Sequence, residues 1–142
     1  MLINSIKTGF KKGLETTWML GKIIIPVYFI ITILKHTVII NWIADAFRPI
    51  MALFNLSGEA AIVLVLGNVL NLYAAIGAIK AIELSPLEVT VIAMMLSFSH
   101  SLLVETAVTK KLGISGFKVV AVRLMLAIAS GVILGRLGGL IS

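Results

Sequence analysis

"AAIVLVLGNVLNLYAAIGAI", Ala60–Ile79, contains no charged residue. A helix rising about 1.5 Å per residue over that length reaches across a hydrocarbon core of about 30 Å. The stretch therefore predicts a membrane crossing, and the composition around it agrees. The chain of 142 residues is 60% hydrophobic and 13% charged, whereas soluble domains are about 25% charged. Gly67, Asn68 and Asn71 interrupt the middle of the run. On one continuous helix the two asparagines, three apart, share a side. A buried amide without a partner costs about 1–3 kcal/mol, so the pair calls for a facing surface. Interhelical hydrogen bonding and a solute or ion site both meet that need. Gly67 beside Asn68 permits a local break that frees backbone carbonyls for coordination.

Working outward, residues 18–42 read as another crossing, with Lys22 and Lys35 snorkelling toward its ends and Pro26 tolerated near its start. Upstream, residues 1–17 place Ile3, Ile6, Phe10 and Leu14 at helical spacing beside Lys7, Lys11 and Lys12, which predicts an interfacial helix. The segment 43–56 is too short to span and is read as amphipathic, lying on the membrane or dipping into it. Its Asp45 and Arg48 are spaced to pair. Downstream, Pro86 and Glu88 mark a helix start, and apolar segments follow at 89–107 and 119–139. The last segment carries Ala127, Gly131, Gly135 and Gly139 in one row, small residues that let two helices approach closely. The fold class is thus an all-α integral membrane protein, a single domain over 1–142. It has about four transmembrane segments, some discontinuous or re-entrant, plus the N-terminal interfacial helix.

The segment 89–107 contains the most polar cluster, Ser97, Ser99, His100, Ser101 and Glu105. On an unbroken helix Ser97, Ser101 and Glu105 share a face, while His100 turns away from Glu105. A break near Ser99 lets all of them converge. Ionisable groups in a membrane segment are functional candidates because burying charge there is expensive. The alternative is that Glu105 ends a helix at the interface beside Lys110 and Lys111.

Several function classes recede on composition. With no cysteine, disulfides and thiolate metal sites are excluded. His36 and His100 with scattered carboxylates give no metal-ligand spacing. The net charge of +6 fits loop ends near anionic lipid headgroups better than nucleic acid. Serine, histidine and glutamate are the parts of a nucleophilic triad, but neighbours within "SFSHS" are poorly placed for a serine to donate to the adjacent histidine. No enzyme is expected. Lys22 interrupts the early apolar run and no small-residue cleavage pattern follows, so the amino terminus is expected to be retained.

An uncharged run, shorter interrupted segments and polar residues at glycine or serine breaks point to a transporter with discontinuous helices. Here the chain resembles a known group. "GEAAIVLVLGNVLNLYAAIGAIKAIELSPLEVTVIAMMLSFSHSLLVETAVTKKLG", Gly58–Gly113, is similar to the nucleoside-recognition or Gate domain. That domain occurs in small bacterial membrane proteins, in spore maturation proteins, in the membrane part of ferrous-iron transporters and as a repeat in concentrative nucleoside transporters. The resemblance implies that "GNVLN" and "SHSLLVE" sit at discontinuous helices near the midplane of a bacterial plasma membrane. It makes Asn68, Asn71, Ser99, His100, Ser101 and Glu105 the solute contacts. No P-loop glycine-lysine motif is present, and nucleoside, iron and other small solutes remain open.

The implied function is a half-sized, multi-pass transporter or transporter subunit for a small, nucleoside-like solute. It requires no cofactor, although a proton or sodium ion at Glu105 can couple to solute movement. A structural membrane assembly protein and an intramembrane enzyme are the alternatives. With crossings at 18–42, 60–79, 89–107 and 119–139, the basic residues divide six against six between the two sides, so the positive-inside rule gives no orientation. A chain without bias can insert both ways, and two opposed copies reproduce an inverted repeat. The expected partners are therefore the lipid bilayer, the solute and a second chain, either an antiparallel homodimer mate or a related chain in a heteromer.

Overall fold

The computed structural model describes residues 2–140, which contain helices and no strands. The elements are α1 (Leu2–Lys35), α2 (Val38–Met51) with a following 3₁₀ turn (Ala52–Phe54), α3 (Ala60–Val69), α4 (Leu72–Ala81), α5 (Pro86–Ser99), α6 (Leu102–Lys111) and α7 (Gly116–Gly138). Three stretches are long and apolar enough to cross a membrane: α1, the α5–α6 pair over Pro86–Lys111, and α7.

The first correction concerns 60–79. It forms two ten-residue helices, α3 and α4, in place of one crossing. A Cβ built on Gly67 would lie 3.2 Å from the Cβ of Ala75, whereas eight residues of straight helix separate two positions by about 12 Å. The chain therefore folds back on itself. Each arm is about 15 Å long, half a bilayer core. The turn is built locally. Leu70 leaves the helical region, Asn71 is extended, and the Asn71 carboxamide oxygen accepts from the Ala74 amide to cap α4. The two asparagines consequently do not share one helical face.

The boundary between the first two segments also differs from expectation. No separate interfacial helix exists at 2–17, because α1 runs unbroken to Lys35 and stops there instead of continuing to 42. At 34 residues it is about 51 Å long, well beyond what a bilayer core requires. Thr37 sets the new start: its hydroxyl donates to the Leu34 carbonyl and accepts from the Ile39 amide. The amphipathic helix thus begins at Val38, burying Ile40, Ala44 and Met51 along one stripe. On its exposed side Asp45 and Arg48 pair at 2.8 Å, as their spacing predicts.

One end of the molecule gathers the connectors. Lys35 reaches Glu83 at 2.8 Å and holds that carboxyl below its usual range through the hydrogen bond. Ser85, at the start of α5, accepts from the Glu88 amide, and Glu88 accepts in return from the Ser85 amide. The second Glu88 oxygen accepts from the Ser57 amide, tying the 55–59 loop to the same level. From this end α4 runs beside α1, where Gly77 sits against the Ile24 carbonyl and Val27. α5 and α6 run inward antiparallel to α7: Gly138 lies beside Leu87, Gly131 beside Met95, and Gly116 beside Thr106 and Lys110. The glycine row thus finds its partners inside the same chain. A Cβ on Gly135 would fall on the carbonyl of Phe54.

This arrangement redistributes the basic residues. The amino-terminal end of α1 and the 112–115 connector share one side, with Lys7, Lys11, Lys12, Lys22, Lys110, Lys111 and Lys118. The opposite side holds Lys35, Arg48, Lys80 and Arg136; with the twelfth basic residue, Arg123, paired inside the chain and assigned to neither side, the division is seven against four. Lys22 belongs to the first group because its ammonium lies 5.6 Å from the ring of Trp18, one turn toward the amino terminus. Turning one crossing into a hairpin breaks the tie.

Two outcomes follow. Single cysteines at Ser57 and Glu83 will label from the same side, opposite to cysteines at Lys12 and Lys110; labelling of Ser57 and Glu83 from opposite sides would restore a crossing at 60–79. Gly135→Ala will lower stability by about 1–3 kcal/mol by forcing Phe54 away. Gly9→Ala, in open space, will be neutral or slightly stabilising. Thermal unfolding in detergent compares the two.

Candidate solute site

Polar residues group where the hairpin tip meets the gap between α5 and α6. Ten residues of α6 and fourteen of α5 flank the gap, which lies roughly 15–21 Å from the ends of the pair. At the gap His100 is extended and Ser101 adopts a left-handed conformation with φ 52°. The Ser101 amide, freed from any helical partner, donates to the carbonyl of Gly67 at 2.9 Å. That bond joins the hairpin to the broken helix. Gly67 permits this close approach, since a Cβ there would press on both methyl groups of Leu96 at 2.6 and 2.7 Å and Leu96 would have to shift.

The break brings His100 to Glu105, which an unbroken helix would have separated. Nε2 of His100 lies 3.3 Å from Oε1 of Glu105. The other ring nitrogen, Nδ1, lies 2.9 Å from the Leu96 carbonyl. Oε2 of Glu105 accepts from Nη1 of Arg123 on α7. Glu105 is therefore part of a partly buried cluster and does not end a helix at the interface beside Lys110 and Lys111.

Arg123, inside the last apolar segment and not among the residues singled out from the sequence, ties this cluster together. Its Nε donates to the Phe98 carbonyl at 2.6 Å and its Nη2 to the His100 carbonyl at 3.2 Å. An interrupted helix leaves its last carbonyls without intrahelical donors, and in lipid no water supplies them. The guanidinium fork, planar and multiply donating, satisfies two carbonyls and a carboxylate together. An arginine inside an apolar segment was the available signal, because such a group needs a partner within the protein.

The remaining predicted contacts fall into different roles. Asn68 donates from Nδ2 to the Leu64 carbonyl at 2.7 Å, while its Oδ1 is buried with no hydrogen-bond partner. Asn71 spends its oxygen on the α4 cap. Ser99 is 2% exposed and donates to the Met95 carbonyl, so the structure turns it into the core, away from the His100–Glu105 group. Ser101 contributes its backbone amide, and Ser97 lies exposed and donates to the Met94 carbonyl. The flank is open: Leu70 is 48% exposed, and the side chains of His100 and Glu105 are 34% and 41% exposed.

A family model described as Gate, nucleoside recognition, matches residues 17–118. The chain belongs to the Gate family. The match takes in the hairpin, the broken helix and the part of α1 that packs on them, and it ends just inside α7. A relative from Bacillus subtilis (strain 168), an uncharacterized membrane protein called YvoD, is 48% identical over 126 residues. The alignment covers 89% of this chain and 40% of the relative, so the chain spans about two-fifths of that protein's length. No solved structure matches. Family, relative and three helices of spanning length agree that this Gate chain is a membrane protein.

Replacing Arg123 tests whether this Gate chain depends on the clamp. Arg123→Met will lower stability by about 1.5–3 kcal/mol through lost charge-assisted hydrogen bonds. Arg123→Lys will recover only part, since one ammonium cannot serve both carbonyls and the carboxylate in the same geometry. Equal unfolding midpoints for all three proteins would refute the clamp.

Proposed function

We propose that this chain forms one half of a transporter for a small, nucleoside-like solute in a bacterial plasma membrane. The observation that carries the reading is the Ser101–Gly67 hydrogen bond, which seats a re-entrant tip against a broken helix. Discontinuous helices meeting inside a bilayer place polar backbone and side-chain groups at depth, where solute sites of transporters are built. The part-exposed His100 and Glu105 side chains supply polar groups on an open flank, and Asn68 keeps an unpaired buried acceptor in the neighbouring hairpin. An assembly role would rest on the small-residue row of α7, but Ala127, Gly131 and Gly135 are buried within this chain. A hydrolase would need a serine aimed at imidazole, whereas Ser99 donates to Met95 and Nδ1 of His100 faces the Leu96 carbonyl.

The open flank requires a cover, because ionisable groups facing lipid are expensive. Three crossings with a charge bias favour one orientation, with the amino terminus in the cytoplasm. A covering unit related by inverted symmetry then enters the membrane the opposite way round. A related, oppositely oriented chain fits that requirement better than a second copy of this one. Labelling of every molecule at Lys12 from one side supports the heteromer; labelling from both sides supports the antiparallel homodimer.

The coupling group is Glu105, for which a proton or sodium ion is the counter-ligand. Thermal shift across nucleosides, metals and organic anions identifies the solute. Glu105→Gln in proteoliposomes will then insert and assemble but lose ion-dependent uptake, at least tenfold on the scale of about 1.4 kcal/mol per decade. Unchanged ion dependence in the Gln variant would remove Glu105 from coupling.

A further inference from the structure

The imidazole of His100 is held from two directions by two acceptors. Nδ1 faces the carbonyl of Leu96 at the end of α5, and Nε2 faces a carboxylate oxygen of Glu105 in the first turn of α6. A carbonyl oxygen can only accept, so the first contact requires a proton on Nδ1. With that proton in place, a neutral ring presents a lone pair at Nε2 to a carboxylate oxygen 3.3 Å away. The second contact is attractive only if a further proton lies between them, on the ring or on the carboxyl. The other neutral tautomer moves the conflict to Leu96, where Nδ1 would oppose a carbonyl at 2.9 Å. Neither neutral tautomer beside an ionised Glu105 satisfies both contacts.

We propose that His100 and Glu105 bind a proton between them, and that this proton fastens α6 to α5 across the break. The inference rests on the transport reading for its use, but its geometry stands apart from any solute. Leu96 lies on the α5 side of the gap and Glu105 on the α6 side; along the chain the backbone of His100–Ser101 joins the two helices, and Arg123 bridges them from α7. Losing the proton releases one of the two contacts, so the joint loosens at the point where the hairpin tip touches it. The charged and polar groups around the ring are few. α6 contributes Glu105, α7 contributes Arg123 on the other carboxylate oxygen, and α3 brings the Gly67 carbonyl to the Ser101 amide. Arg123 stays charged throughout, so it holds Glu105 in place while the proton on the opposite oxygen comes and goes.

The test reads the joint directly. The chain has no cysteine, so spin labels can be placed at Thr90 on α5 and Val108 on α6, both on exposed positions. Distances between them are measured in proteoliposomes over a pH series without solute. The expected result is a narrow distribution at acidic pH that broadens as pH rises. Glu105→Gln, whose amide donates to Nε2 at every pH, will stay narrow throughout, and His100→Gln will lose the pH response. A parent distribution that does not change with pH, or a Glu105→Gln protein that keeps the parent's response, would overturn the proposal. Circular dichroism confirms that each variant is folded. Uptake is assayed separately: a pH-sensitive joint without transport would refute the transporter reading alone, and transport with a rigid joint would refute only the shared proton.

Discussion

Inside a hydrocarbon layer every backbone donor and acceptor must find its partner within the protein. A helix that stops midway leaves carbonyls behind it and amides ahead of it, each costing free energy if unpaired. Here the amide of Ser101 is met by Gly67 from the neighbouring hairpin, and the carbonyls of Phe98 and His100 are met by Arg123. The break in one element is thus stabilised by the turn of another and by a side chain of a third. Gly67 and Gly77 let the hairpin approach α5 and α1, and Gly131 and Gly135 let α7 approach α5 and Phe54.

The same constraint explains why the polar groups cluster. Arg123 in an apolar helix demands a carboxylate, Glu105 supplies it, and the second carboxylate oxygen brings in His100. Each member answers a desolvation problem posed by another, so the group is both structural and available for chemistry. The open flank keeps it in reach of a ligand or covering chain, while the unpaired Oδ1 of Asn68 marks where the internal partners run out. Membership of the Gate family fits this arrangement at the level of a membrane protein named for nucleoside recognition.

Much was legible in the sequence because it depends on neighbours along the chain. Composition placed the protein in a bilayer, since the hydrophobic fraction is a sum that folding cannot change. Pro86 and Glu88 announced the start of α5 because capping is a contact across three residues. Asp45 and Arg48 paired as their spacing required. The four-residue glycine row declared a close helical contact, and the polar run from Ser97 to Glu105 marked a special place before any geometry was known.

What only the tertiary structure decided is where the chain folds back and which distant groups meet. A hydropathy window sees twenty apolar residues and cannot separate one crossing of about 30 Å from two arms of half that length. The difference lies in whether Leu96 and α1 offer a surface for Gly67 and Gly77 to pack on, and those surfaces come from elsewhere in the chain. That choice carried the topology with it, turning an even division of basic residues into a biased one. Arg123 was invisible as a partner of His100 and Glu105 for the same reason. Eighteen residues separate it from Glu105, and the loop that brings them together records nothing of the contact. Local spacing determined which residues were unusual; long-range packing determined what each of them does.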